Sequence, residues 1–158
     1  MSELLIQNAR IFDGHRAECP TGQSLLVAGD RIQAIGPQLE APPGATVIDA
    51  GGRTLMPGLI DCHIHAYASS LSVQLEETRG EAYRATYALR MLEHALSCGF
   101  TTVRDMAGGN LSLARAVADG LIRGPRYLYA GRALSMTGGH GDMRAQEAPP
   151  RYTSACAC

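Results

Sequence analysis

Two histidines set two residues apart, His63 and His65, have the types and spacing best suited to chemistry in this sequence, and that chemistry is metal binding. They sit in the segment MPGLIDCHIHAYASS, residues 56–70, where residues 59–65 form a short apolar run opened by Pro57-Gly58. That is the pattern of a buried strand. Side chains alternate along a strand, so Asp61, His63 and His65 are expected on one face and Cys62 and Ile64 on the other. Two imidazoles on one face can grip one cation, and neutral imidazole suits zinc and other borderline transition metals. An HxH pair near a strand end also arises by chance, so the spacing alone leaves both readings open.

The other reactive side chains invite plainer readings. Cys62 is expected to be buried packing on the face away from the histidines. His94 lies off the apolar stripe of its expected helix and reads as solvated, and His15 sits in a turn with no partner. Cys156-Ala157-Cys158 offers two thiols, short of the four ligands of a structural zinc site. Gly108-Gly109 is expected to serve a turn, because GGN is not a phosphate-loop pattern. His140, in the turn TGGHGD, is open to two readings: a substrate contact, or a residue suited to the turn conformation.

The chain that must position these residues has 158 residues, 46% of them hydrophobic and 18% charged, with a net charge of −1. That balance gives no electrostatic reason to expect nucleic acid or an anionic membrane as a partner. No apolar run approaches the roughly 18 residues of a membrane span, and the start MSELLIQNAR lacks the features of a secretory signal. Five cysteines, odd in number and unclustered, favour a reducing cytoplasm. All 14 basic residues are arginine; lysine is absent.

Residues 1–57 read as short strands joined by turns. Apolar runs at residues 4–6 and 11–12 flank a polar step, and those at 25–27 and 32–35 flank Gly29-Asp30, a tight-hairpin signal. The breaker cluster at 41–44 precedes a strand at 46–48. After Pro57 the rhythm becomes strand, helix, strand, helix, strand. A capping box, Thr78 to Glu81, opens a helix with an apolar stripe of Ala82, Ala85, Leu89, Leu92 and Leu96, stopped by Gly99. A strand follows at 100–106, then a shorter helix capped by Asn110 and ended by Gly120, then a strand at 126–134. Such βαβαβ alternation implies an α/β fold with parallel strands and helical crossovers. Residues 145–158 lack periodicity and carry Pro149-Pro150, the composition of a disordered tail or of sequence foreign to the fold.

The strings TLMPGLIDCHIH, GFTTVRDMAGG and GPRYLYAGRALSMTGGHGD, spread over residues 1–144, together resemble the imidazolonepropionase-like and prolidase-like branch of the amidohydrolase superfamily. The resemblance implies a small β-sandwich portion over residues 1–57, then the first βαβαβ segment of a (β/α)₈ TIM-like barrel over residues 58–144. It implies one or two divalent metals, zinc foremost, at the barrel mouth, activating water against an amide or dipeptide C–N bond. His63 and His65 match the first-strand metal ligands. His140 matches a loop that faces the substrate and its carboxylate, and Asp105, at the end of the second strand, suits an outer partner of a ligand. A small-molecule substrate, a dipeptide or acylated amino acid, is implied, and a homo-oligomer is compatible.

The sequence also departs from the pattern. A (β/α)₈ barrel needs roughly 200–250 residues, and three strands can be counted here. The later ligands of the family have no counterpart in these residues: a lysine carboxylated to a carbamate, two further histidines and an aspartate that also serves as the general base. The expectation is an N-terminal piece of such a hydrolase, inactive alone. The other class is a non-catalytic remnant that associates with another chain.

Overall fold

The computed structural model describes residues 3–137, 139, 140 and 142. The chain divides into two compact units, Met1–Pro57 and Gly58–Cys158.

The first unit is a sheet of β1 (Glu3–Ile11), β2 (Gln23–Ala28), β3 (Arg31–Pro37), β4 (Thr46–Asp49) and β5 (Thr54–Leu55). Its order is β3-β2-β1-β4, with β5 also on β1. The hairpin at Gly29-Asp30 forms as expected: Ala28 pairs with Arg31, and Gly29 takes φ 63°, which a β-carbon would strain. The apolar runs at residues 4–6 and 11–12 meet in one strand, β1, which ends at Ile11. Asn8 adopts φ 58° and the register shifts between Ile6 and Ala9, so a bulge absorbs the polar step. Ala9, Ile11 and Leu25 form the core, packed by Val27, Ala50 and Leu55. In the following turn the N–H groups of Arg16 and His15 donate to Asp13 and hold its carboxyl below the usual carboxylate range. That turn accounts for His15.

The second unit runs β6 (Leu59–Ile64), α1 (Val73–Thr78), α2 (Glu81–Ser97), β7 (Phe100–Asp105), α3 (Leu111–Ala118) and β8 (Arg126–Tyr129). The strands are parallel in the order β6-β7-β8, with α2 packed on β7 and α3 on β8. Ala66, Ala88, Leu92, Val103, Leu113 and Tyr127 form the core between sheet and helices. Asn110 caps α3 by accepting from the Leu113 N–H at 2.9 Å, and Gly99 (φ 91°) follows α2 as a stop.

Three expectations fail here. Thr78 does not open α2: it is the last residue of α1, its hydroxyl bonded to the Leu75 carbonyl, and Gly80 precedes α2 without a side-chain cap. The buried line of α2 is Arg84, Ala88 and Leu92, while Ala82 is exposed. Arg84 can be buried because the carboxylate of Glu76 on α1 lies 3.4 Å from its Nε. The third strand ends at Tyr129 rather than Leu134; the Ala130 N–H bonds the Asp105 carbonyl, and Gly131 (φ 80°) turns the chain. No helix among the described residues is long and apolar enough to cross a membrane. The expected tail, 145–158, lies outside the described residues.

Candidate metal centre

β6 delivers the two imidazoles together. His63 is its penultimate residue and His65 follows its end, with ring centroids 5.1 Å apart and planes at 84°. Both are exposed, while Ile64 between them turns the other way and packs against the core. The expected sharing of that face by Asp61 fails. Asp61 pairs with Val103 but Ile64 pairs with Asp105, so the register shifts and alternation is interrupted. Asp61 instead accepts from the His63 N–H at 3.0 Å.

The second imidazole is anchored. Nδ1 of His65 lies 3.3 Å from the Ala107 carbonyl oxygen, which can only accept. Nδ1 therefore carries the proton and Nε2 keeps its lone pair, the tautomer a ligating histidine needs.

Asp105 organises the backbone around this point. Its side chain is fully buried. Oδ2 accepts from the Ala66 N–H at 3.0 Å and the Tyr127 hydroxyl at 2.6 Å, and Oδ1 from the Ala107 N–H at 3.1 Å. One carboxylate thus ties the residue after His65 to the residue whose carbonyl orients His65. Burial, then the bond to Asp105, raises the Tyr127 phenol far above its ordinary pKa. Gly109 packs over this group: a β-carbon there would overlap the Tyr127 hydroxyl and lie 2.8 Å from Tyr129 Cβ. A little further out, Tyr67 accepts from the Asn110 side-chain amide at 3.0 Å, and burial raises its pKa.

The remaining candidates lie elsewhere. His140 is exposed in a turn in which Gly139 N–H bonds the Met136 carbonyl and Asp142 N–H that of Gly139. No hydrogen bond or ring contact among the described residues joins it to His63 or His65. Cys62, expected as buried packing, is exposed, and lies in the register shift between Asp61 and Ile64. His94 is exposed as expected, its Nε2 3.6 Å from Cys98 Sγ. Sequence reasoning missed Tyr127, Ala107 and Arg104, whose Nε donates to the Cys62 carbonyl at 2.9 Å. No local pattern marks a residue whose partner is 42 positions away.

The donor set fits part of a cation site. Two imidazoles with one tautomer fixed suit zinc or a similar metal, and no group of three or more ligating side chains exists among the described residues. Parallel strands with helical crossovers, and imidazoles at the C-terminal end of the first, define an α/β protein with its reactive groups where such sheets keep their active sites. The chain belongs to the amidohydrolase family, which residues 54–155 match. It is 34% identical over 139 residues to ochratoxinase of Aspergillus niger, covering 80% of this chain and 28% of that protein. To imidazolonepropionase of Arthrobacter sp. (strain FB24) it is 33% identical over 131 residues, covering 81% and 30%. Among solved structures it is similar to a prolidase complexed with N-methylphosphonate-L-proline, with a TM-score of 0.86 and 37% identity, covering 94% of this chain and 36% of that one. The chain thus spans about a third of the length of these relatives. Members of the superfamily generally bind divalent metals, and the hydrolase-named relatives act on C–N bonds.

Proposed function

We propose that this chain forms the metal-holding first part of an amidohydrolase that cleaves the C–N bond of a dipeptide or acylated amino acid. Residues 1–57 are the β-sandwich portion, and residues 58–144 carry the first three strands of the (β/α)₈ barrel. The observation that carries the reading is the imidazole pair at the end of β6, with centroids 5.1 Å apart and His65 anchored through Nδ1. His63 and His65 hold a divalent cation, zinc by the softness of their donors. When bound, the cation supplies an activated water and polarises the carbonyl under attack.

Catalytic zinc sites ordinarily use three protein ligands, so further ligands lie beyond the described residues. Asp105 acts from outside the ligand pair, fixing the Ala107 carbonyl that sets the His65 tautomer. His140 faces the substrate and takes its free carboxylate. The similarity to the prolidase structure, crystallised with a proline derivative, supports a substrate that ends in an amino acid.

The test is hydrolysis, by the intact protein that contains this chain, of Xaa-Pro dipeptides and N-acyl amino acids, each with a free and an amidated C-terminus. Activity should vanish with a chelator and return with Zn²⁺. His140→Ala should lower kcat/KM more for the free acids than for the amides. Equal losses on both would remove His140 from the carboxylate, and chelator-insensitive turnover would remove the metal from the reaction.

A further inference from the structure

We infer that Asp61 and Arg104 are positioning residues for His63, gripping the peptide unit on which it is mounted from both sides. This rests on the proposed role of His63 as a metal ligand and adds what aims it. Between the pairs Asp61–Val103 and Ile64–Asp105, β6 places two residues, Cys62 and His63, where β7 places one, Arg104. Cys62 and His63 consequently have no partner in the β6–β7 register. A bulge of this kind takes backbone groups out of the ladder and re-aims the side chain it carries.

Both polar groups of the Cys62–His63 peptide are bonded to side chains. The His63 N–H donates to Asp61 Oδ1 at 3.0 Å, and the Cys62 carbonyl accepts from Arg104 Nε at 2.9 Å. The acceptor on one side carries a carboxylate charge and the donor on the other a guanidinium charge, which strengthens each bond beyond a neutral pair. Fixing both ends of the peptide fixes its plane, and with it the direction in which His63 leaves the backbone.

Arg104 is placed for this by β7. Its neighbours Val103 and Asp105 are buried on the helix-covered side, so alternation turns Arg104 to the open side. His63 occupies that same side of β6, opposite the core-packed Ile64. His65 is fixed independently through Ala107. Each imidazole therefore has its own support.

The test is Co²⁺ affinity by chelator competition, together with the visible absorption of bound Co²⁺, in the intact protein. Asp61→Ala and Arg104→Met should each weaken Co²⁺ binding about 10–100-fold, the range for residues that orient ligands, and alter the Co²⁺ spectrum. Asp61→Asn, which keeps an acceptor oxygen, should stay near wild type. Arg104→Lys, which keeps the charge but moves the donor, should fall between, and serves if Arg104→Met does not fold. His63→Ala is the reference. Loss of binding in His63→Ala with wild-type affinity and spectra in the folded Asp61 and Arg104 variants would overturn the inference alone. Wild-type binding in His63→Ala would overturn the ligand reading beneath it, and the inference with it.

Discussion

The hydroxyl of Tyr127 donates to Asp105 at 2.6 Å where both side chains are almost wholly withdrawn from water. The same carboxylate holds the Ala66 and Ala107 N–H groups, so it closes the loops after β6 and β7 together.

Asp105→Ala should therefore destabilise far more than Tyr127→Phe. The first leaves three buried donors without an acceptor, at about 1–3 kcal/mol each. The second removes one donor from a carboxylate that keeps two others, and should cost about 1–3 kcal/mol. Urea unfolding of the two variants measures the order, and a Tyr127→Phe loss equal to that of Asp105→Ala would contradict it.

The alkaline limb of stability should carry the signature of Tyr127. Its phenol pKa is raised, so the unfolded chain releases this proton near pH 10, the ordinary value, while the folded chain keeps it. Above about pH 10 the unfolded state binds fewer protons, and stability falls as pH rises, by about 1.4 kcal/mol per pH unit from this group. Below that range the group contributes no pH dependence. Unfolding free energies from pH 8 to 11 should show a shallower decline in Tyr127→Phe than in wild type.

Gly109→Ala should destabilise by about 1–3 kcal/mol, because the added methyl meets Tyr127, Tyr129 Cβ at 2.8 Å and Asp105 Cγ at 3.1 Å. Removing the Tyr127 hydroxyl vacates part of that space. The double variant Gly109→Ala/Tyr127→Phe should be less destabilised than the sum of the single changes. Strict additivity in denaturation midpoints would argue against the close approach.

What could be read from the sequence was written in local chemistry. Gly29-Asp30, Asn110 and Gly99 act on residues within a turn of themselves, and His63 and His65 are coupled simply by being two apart at the end of a strand. What could not be read depends on distant partners. Asp105 bonds residues 39 and 22 positions away, so the sequence offers its position at a strand end but not its three donors. Arg84 looks like a solvated charge until Glu76 is brought beside it by α1, a helix of six residues and too short to show a period. The face of Asp61 was misread for a related reason: strand alternation assumes an unbroken register, and β6 shifts between Asp61 and Ile64. Half of the candidate centre, its pair of imidazoles, was thus legible; the groups that hold that pair in place were not.

Whether His63 and His65 hold one divalent cation is tested most directly by the metal content of single-alanine variants. The intact protein and its His63→Ala, His65→Ala and His140→Ala variants would be dialysed identically and analysed by mass spectrometry for bound metal. Both ligand variants should lose the cation, and His140→Ala should keep the wild-type complement. A His63→Ala or His65→Ala protein that stays folded and retains the full complement would contradict the account.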